Sequence, residues 1–357
     1  MGKLPVMIER GNAAPGGGIG EYAASLSVAL EEYQSGSIEV MDSNASSSPT
    51  RFRPLSRLAY LYRLRKLRLE AYGGARVVHF VNIFVPTRSV RVAYVGTVHD
   101  IDPLLLPDAH TARYRLYFEY AARMTVERSD LLVTQSESVR AELIERFAVA
   151  PDRVVVGGNG LNPVFMAAAD REPKSIPEIP VMLFVGQVNR KKNVHWLVRT
   201  VAKGIRGGAL PAMRLVLVGR PGFGSAETER ELRMAGPSVT WRPACPLEEL
   251  VKLMCSSTMV VLPSLREGFG RPLLEAMYCG KPVVASRIPS SCEVAGEAGR
   301  YFSLGSEEEF YAAVNDVLAR ENEESRRMLG VARVDHYAWD RLSKVYRDIY
   351  LDAAMTL

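Results

Sequence analysis

The chain alternates short, nearly unbroken runs of Val, Ile, Leu and Met with longer segments whose apolar positions recur at three- and four-residue spacing. A strand buried on both faces gives the first pattern and an amphipathic helix lying over it gives the second. The alternation therefore predicts parallel sheets covered by helices on both sides. In the first half, strands are expected at Leu4–Glu9, Ile38–Asp42, 75–81, 92–99, Leu131–Thr134 and 153–156, with helices at 20–33, 56–72, 111–128 and Glu137–Phe147. The pattern breaks between 162 and 180, where Pro163, Pro173, Pro177 and Pro180 stand among scattered charges and suggest a linker. It restarts with strands at Val181–Val185, Arg214–Val218, 239–241, Met259–Leu262 and 282–285 and helices at 194–204, 226–234, Leu247–Cys255 and 272–279. The tail, 307–357, reads as helices.

The fold class expected from this order is α/β, with two Rossmann-like doubly wound domains, 1–165 and 166–335, facing each other across a deep cleft. A terminal helix in 336–357 is expected to cross back to the first domain. Sheets of this kind bind ligands beyond the carboxyl ends of their strands, so the chemistry is sought there.

Charge narrows the ligand classes. A formal net charge of +5 on 357 residues suits phosphate-bearing ligands or an anionic membrane and is too small to argue for nucleic acid. The strongest local feature is 51–68, where Arg51, Arg53, Arg57, Arg63, Arg65, Lys66 and Arg68 alternate with Leu55, Leu58, Leu61, Leu64 and Leu67. Such a helix either lies on anionic lipid or packs with a solvated basic face. Cys245, Cys255, Cys279 and Cys292 form no C-x-x-C and are expected to be reduced packing residues. No long apolar run opens the chain or interrupts it, so a cytoplasmic protein is expected, with a peripheral station on the inner face of the cell membrane as the alternative.

Among the chemical motifs, the stretch Pro263 to Met277 is the most informative. A strand ends near Leu262, Gly268 and Gly270 permit a tight turn, and Pro272 sits where proline opens a helix. Amides of such a turn at a helix start suit a diphosphate. Glu267 and Glu275 flank it, one in the turn and one in the helix; alone, that spacing describes an ordinary loop acid and helix acid. A second cluster, Arg190, Lys191 and Lys192, follows the strand ending at Val185 and can neutralise a diphosphate, although cations after a strand are often merely solvated.

In the first half, Pro15 to Tyr22 is a glycine loop at a helix start. Gly18 to Ala23 also matches G-x-G-x-x-A with Asp42 downstream, as in dinucleotide folds, but the loop follows its strand too late for that fingerprint. His99, Asp100 and Asp102 end another strand; a single histidine there is often structural.

Taken together, Glu267-Gly268-Phe269-Gly270-Arg271-Pro272 through Glu275-Ala276-Met277, then Gly280-Lys281-Pro282-Val283-Val284-Ala285-Ser286 and Glu293-Val294-Ala295-Gly296, closely resemble the signature of family 4 of the retaining glycosyltransferases. Val185-Gly186 to Asn193 resembles the family's V-G-x-x-x-x-R-K-N phosphate motif, and His99 to Pro103 with Ser136-Glu137 its H-D-x-x-P and S-E-x-x-R segments. The resemblance implies the GT-B fold and transfer of a hexose from a nucleotide-diphosphate sugar to a glycan, lipid-linked or small-molecule hydroxyl. GDP-mannose is the best-fitting donor.

Carried over residue by residue, the resemblance places Glu267, Gly268, Phe269 and Gly270 by the donor sugar and phosphates and Glu275 on the ribose, with Leu274 beside it. Lys192 becomes the diphosphate lysine, with Lys191 where the family has arginine, Arg190 as its substitute and Gln187 nearby. Arg242, Pro243 and Leu247 fall where relatives cradle the base. Gly17 and Gly18 fall on the donor side, Ile19, Gly20, His99 and Asp100 on the acceptor side, and His99, Glu267, Lys192 and Arg190 are the expected catalytic set.

Neither a metal nor a cofactor is expected, since the five histidines are scattered and Asp100 and Asp102 are the nearest approach to D-x-D. Two other classes stay open: a nucleotide-sugar-binding protein without turnover, and a peripheral membrane scaffold resting on 51–68.

Overall fold

A computed structural model describes residues 2–10, 17–42, 74–83, 85, 92–173, 177–319 and 323–357. The basic segment 51–68 and the expected helix 56–72 lie outside the described residues. The chain forms two compact units. The first comprises 1–104, 112–162 and 337–357, and the second 105–111 and 163–336.

The first unit is built on six parallel strands in the order β2-β1-β3-β4-β5-β6: β1 Leu4–Glu9, β2 Ile38–Asp42, β3 Val77–Phe80, β4 Ala93–Val98, β5 Leu131–Thr134 and β6 Val154–Val156. β3 and β4 are buried along their whole length, which is why they read as unbroken apolar runs. Register is direct, with Val77 opposite Ala93 and Val95 opposite Leu131. The helices are α1 Gly18–Tyr33, the short α2 Asp102–Leu105, α3 Ala112–Arg128 and α4 Glu137–Phe147, the last capped by Ser136, whose side chain accepts from the Val139 amide.

α1 starts two residues earlier than expected, so Gly18, Ile19 and Gly20 form its first turn rather than a loop. Gly17 is the extended N-cap, its carbonyl accepting from the Glu21 amide at 2.9 Å.

The second unit repeats the plan in the order β12-β11-β10-β7-β8-β9: β7 Val181–Val185, β8 Arg214–Val218, β9 Val239–Arg242, β10 Met259–Leu262, β11 Val283–Ser286 and β12 Gly299–Phe302. Its helices are α5 Pro163–Ala169, α6 Val194–Arg206, α7 Ser225–Ala235, α8 Leu247–Cys255, α9 Arg271–Tyr278, α10 Pro289–Ala295, α11 Glu307–Leu318 and α12 Glu323–His336.

The linker expected at 162–180 is corrected by α5, which packs on α8. Pro163 occupies the first turn of that helix, where its missing N–H costs nothing, and Val-Phe-Met-Ala-Ala-Ala continues it well. The last helix, α13 Trp339–Met355, belongs to the first unit, where it packs on α1 and buries Trp339, Leu342, Tyr346, Ile349 and Tyr350 in one core with Leu26, Leu30 and Val95. Among the described residues no helix is long and apolar enough to cross a membrane.

Each sheet has one place where the chain reverses its winding direction, between β1 and β3 in the first unit and between β7 and β10 in the second. Loops leaving such neighbouring strands diverge to opposite faces and open a crevice at their carboxyl ends.

Candidate active site

In the second unit that crevice is bounded by the segment after β7 and the turn after β10. Two glycines let the strand ends run close. Gly186 and Gly219 have φ of +147° and +155°, and a Cβ on Gly219 would stand 1.8 Å from the Gly186 carbonyl oxygen. The chain then turns through Asn189, whose Oδ1 accepts from the Lys192 amide at 2.9 Å, and through Asn193 in the left-handed region at φ +54° before α6 begins. This fold points the Lys192 ammonium at Glu267 in the β10–α9 turn, and the two form an ion pair.

The backbone joins the same segments, with the Leu265 amide donating to the Lys191 carbonyl at 2.8 Å. Ser264 Oγ donates to the same Glu267 oxygen at 2.5 Å, and Ser286 Oγ at the end of β11 donates to the Ser264 carbonyl at 2.5 Å.

Only 6% of the Glu267 side chain is exposed, against 16% for Lys192, so both charges are largely removed from water. Burial pushes the Glu267 pKa up, but Lys192, Lys191 and the Ser264 hydroxyl outweigh it and hold the carboxyl below its usual range. The result is a buried carboxylate that is ionised and fixed, beside an ammonium held by one carboxylate oxygen.

Gly268, Phe269 and Gly270 are buried in the turn, and Gly270, at φ +91°, caps α9. Glu275 is the fifth residue of that helix, a full turn inside it. Arg271 donates to its Oε1 at 3.1 Å, and both side chains are largely buried.

Arg190 does not join this group. Its guanidinium pairs with Glu227 of α7, donates to the Asp108 carbonyl at 3.0 Å and lies over the Phe223 ring at 5.5 Å. Asp108, Arg190, His195, Glu227 and Leu265 line a separate cavity of about 330 Å³. In this structure the Arg190 fork is engaged by a carboxylate and a carbonyl rather than turned to the Lys192–Glu267 pair. The Leu274 side chain is wholly buried.

Gln187 is exposed and accepts from Asn189 Nδ2 at 3.2 Å. Arg242 ends β9 and pairs with Glu249 at 2.5 Å, Pro243 follows it exposed, and Leu247 lines a cavity of about 690 Å³ with Val164, Ala168 and Arg171.

In the first unit, His99 follows β4 and its Nε2–H donates to the Val81 carbonyl, at the end of β3, at 2.8 Å. That bond selects the tautomer whose Nδ1 carries the lone pair. Burial pushes the His99 pKa down, partly offset by the Val81 carbonyl and by Asp100, so the imidazole is neutral near pH 7 and can accept a hydroxyl proton in a hydrogen bond. The Tyr22 ring packs on it at 5.1 Å and 88°. Asp100 has a local task, accepting from the Asp102 amide at 3.3 Å. A Cβ on Gly18 would meet nothing within 4 Å, so packing alone does not demand glycine there.

Ser264, Asn189, Glu227, Tyr22 and Tyr346 were not singled out as site residues from the sequence. For Asn189 there was a signal, the turn that an Asn side chain makes by accepting from a backbone amide just downstream, here that of Lys192. For Glu227, Tyr22 and Tyr346 the partner lies on a distant element. Among the described residues no group of three or more His, Cys, Asp or Glu is placed to hold a metal ion.

One doubly wound unit with a cation and a buried carboxylate at its switch point, and another with a histidine at a strand end, define a protein of the two-domain α/β class. Comparison makes this specific. Residues 17–165 match the sequence model of glycosyltransferase family 4 and residues 179–320 that of the glycosyl transferases group 1. The chain belongs to this glycosyltransferase family and has its GT-B fold.

It is 28% identical over 304 residues to the O-antigen chain mannosyltransferase B of Escherichia coli, covering 78% of this chain and 76% of that one. In structure it is similar to a sucrose-phosphate synthase from Thermosynechococcus elongatus, with a TM-score of 0.69, 19% identity and coverage of 98% and 100%. It is also similar to Anabaena HepE in complex with UDP and glucose, with a TM-score of 0.68, 16% identity and coverage of 98% and 100%.

Proposed function

We propose that this glycosyltransferase transfers a hexose, with mannose from GDP-mannose as first choice, to a hydroxyl of a glycan or lipid-linked acceptor, with retention of anomeric configuration and without a metal ion. The observation that carries the reading is the Lys192–Glu267 pair at the switch point of the second sheet. A diphosphate entering that crevice competes with Glu267 for the Lys192 ammonium, and the α9 start adds its partial positive charge. Glu275 accepts from the ribose hydroxyls, with Arg271 holding its carboxylate. His99 Nδ1 accepts from a hydroxyl of the donor sugar.

Leaving-group stabilisation then falls to Lys192 and Lys191 as negative charge grows on the departing diphosphate. The acceptor attacks the face from which the diphosphate leaves, and a donor phosphate oxygen takes its proton. Mannose is favoured by the similarity to an O-antigen mannosyltransferase, whereas the complex of HepE with UDP and glucose supports a nucleotide-sugar donor without favouring the guanine base. A peripheral membrane position is part of the proposal only as a setting for a lipid-linked acceptor.

The test is a panel of GDP-mannose, UDP-glucose, ADP-glucose and dTDP-glucose with and without a chelator, the anomer of the product being read by NMR. Release of GDP from GDP-mannose with an α-linked product, unaffected by chelator, supports the reading. An inverted product, or activity that disappears with chelator and returns with magnesium or manganese, contradicts it.

A further inference from the structure

Beneath His99 lies a polar seat that the transfer chemistry does not use. Tyr22 of α1 packs its ring against the imidazole, and its hydroxyl stands 2.8 Å from that of Tyr346 on α13. Tyr346 donates to the Gly158 carbonyl at 3.1 Å, which leaves the Tyr22 hydroxyl as donor in the pair. Both phenols are buried, and the Gln135 side chain, also buried, sits beside them with neither amide atom in an aligned hydrogen bond.

The two phenols satisfy each other and the Gly158 carbonyl, whereas the Gln135 amide is buried without an aligned partner, which costs stability. The backbone makes room for the phenol pair nonetheless. Gly157 is not in the left-handed region, yet a Cβ there would stand 2.4 Å from the Tyr346 hydroxyl. Glycine at 157 thus serves the placement of a phenol from the other end of the chain.

We propose that Tyr22 and Tyr346 are positioning residues for His99. The hydroxyl pair pins the Tyr22 ring, the ring fixes the plane of the imidazole, and the Val81 carbonyl fixes its tautomer, so Nδ1 is aimed before a sugar arrives. The inference rests on the reading of His99 as the group that meets the donor sugar. It makes the last helix of the chain part of the site in the first unit.

The test is a double-mutant cycle in the full-length protein, using Tyr22→Phe, Tyr346→Phe, His99→Ala and the two combinations with His99→Ala, with turnover measured on the panel donors. Each Phe variant is expected to lower kcat about tenfold with donor KM within about twofold, and to have no further effect in the His99→Ala background. The His99 ring signal in a histidine-labelled spectrum, assigned by its loss in His99→Ala, should move or broaden in both Phe variants. If the Phe changes are silent, or act equally with and without His99, the positioning role is overturned while the role of His99 stands. Wild-type turnover by His99→Ala overturns both. Should Tyr346→Phe fold poorly, Tyr22→Phe, which leaves the Tyr346–Gly158 bond in place, carries the same cycle.

Discussion

The Lys192 ammonium rests on the Glu267 carboxylate, joining the segment after β7 to the turn after β10 across the one place in the second sheet where winding reverses. The two residues are 75 positions apart in sequence. Their meeting follows from strand order alone, because β7 and β10 are neighbours and both segments leave from the same end of the sheet. An ion pair this buried is more informative about geometry than about stability, since desolvation of both groups offsets much of their attraction.

Removing Lys192 leaves the buried Glu267 carboxylate without its ion-pair partner, with the Ser264 hydroxyl and the charge of Lys191 as the remaining support. Lys192→Met is therefore expected to destabilise the second unit by about 3–5 kcal/mol, and combining it with Glu267→Leu to recover most of that loss. Transfer should stay abolished in the double variant. Denaturant unfolding read beside turnover checks this; recovery of turnover along with stability would contradict the role given to the pair.

Arg190 gives a contrast within the same segment. With its guanidinium on Glu227 and the Asp108 carbonyl, Arg190→Ala should weaken nucleotide-diphosphate binding by less than about threefold, whereas Lys192→Ala should weaken it at least about thirtyfold. Binding titrations of the two variants side by side decide it, and equal losses would give Arg190 an equal share in the phosphate site.

The strand ends at the crevice tolerate little. Gly219→Ala places a Cβ against the Gly186 carbonyl in a backbone region that L-residues rarely adopt, so a loss of at least about 3 kcal/mol is expected. A melting temperature within a few degrees of wild type would show that the strand ends part more readily than this packing implies.

His79 supplies a pH dependence. It is buried between the Thr97 hydroxyl at 2.7 Å and the Tyr350 hydroxyl at 2.8 Å, and burial, with His99 nearby, lowers its pKa to about 3. A depressed histidine pKa means that below the unfolded value, near 6.5, the unfolded chain binds the extra proton. Stability from this group should therefore fall as pH drops, by up to about 1.4 kcal/mol per unit between pH 6 and pH 4. A His79→Gln variant should show a flatter profile across that window when unfolding is followed by denaturant; an unchanged slope would exclude His79 as its source.

Much of the fold was legible in the sequence because buried parallel strands announce themselves as apolar runs: β1, β2, β5, β7, β8 and β10 stand where the pattern put them. Other elements were not legible. β12 is a four-residue edge strand, Gly-Arg-Tyr-Phe, with too little apolar content to register. α5 was hidden by Pro163 and the prolines that follow the helix, since a proline signals a break inside a helix but a favourable start at its first turn.

In the candidate site, the Glu267 to Glu275 turn and the Lys192 segment could be read from local glycine, proline and charge patterns. The pairing of Arg190 with Glu227 could not, because Glu227 lies 37 residues on, in α7. Tyr346 was invisible for the same reason, 324 residues from the Tyr22 hydroxyl it meets.

The account depends on a nucleotide diphosphate bound in the crevice between the Lys192 segment and the Glu267 to Glu275 turn. Calorimetric titration of GDP and UDP into the wild-type protein and into Glu275→Ala measures this directly. Saturable binding by at least one nucleotide, weakened at least about tenfold by the substitution, is the expected result. Affinity that is the same in both proteins would place the nucleotide elsewhere and contradict the site.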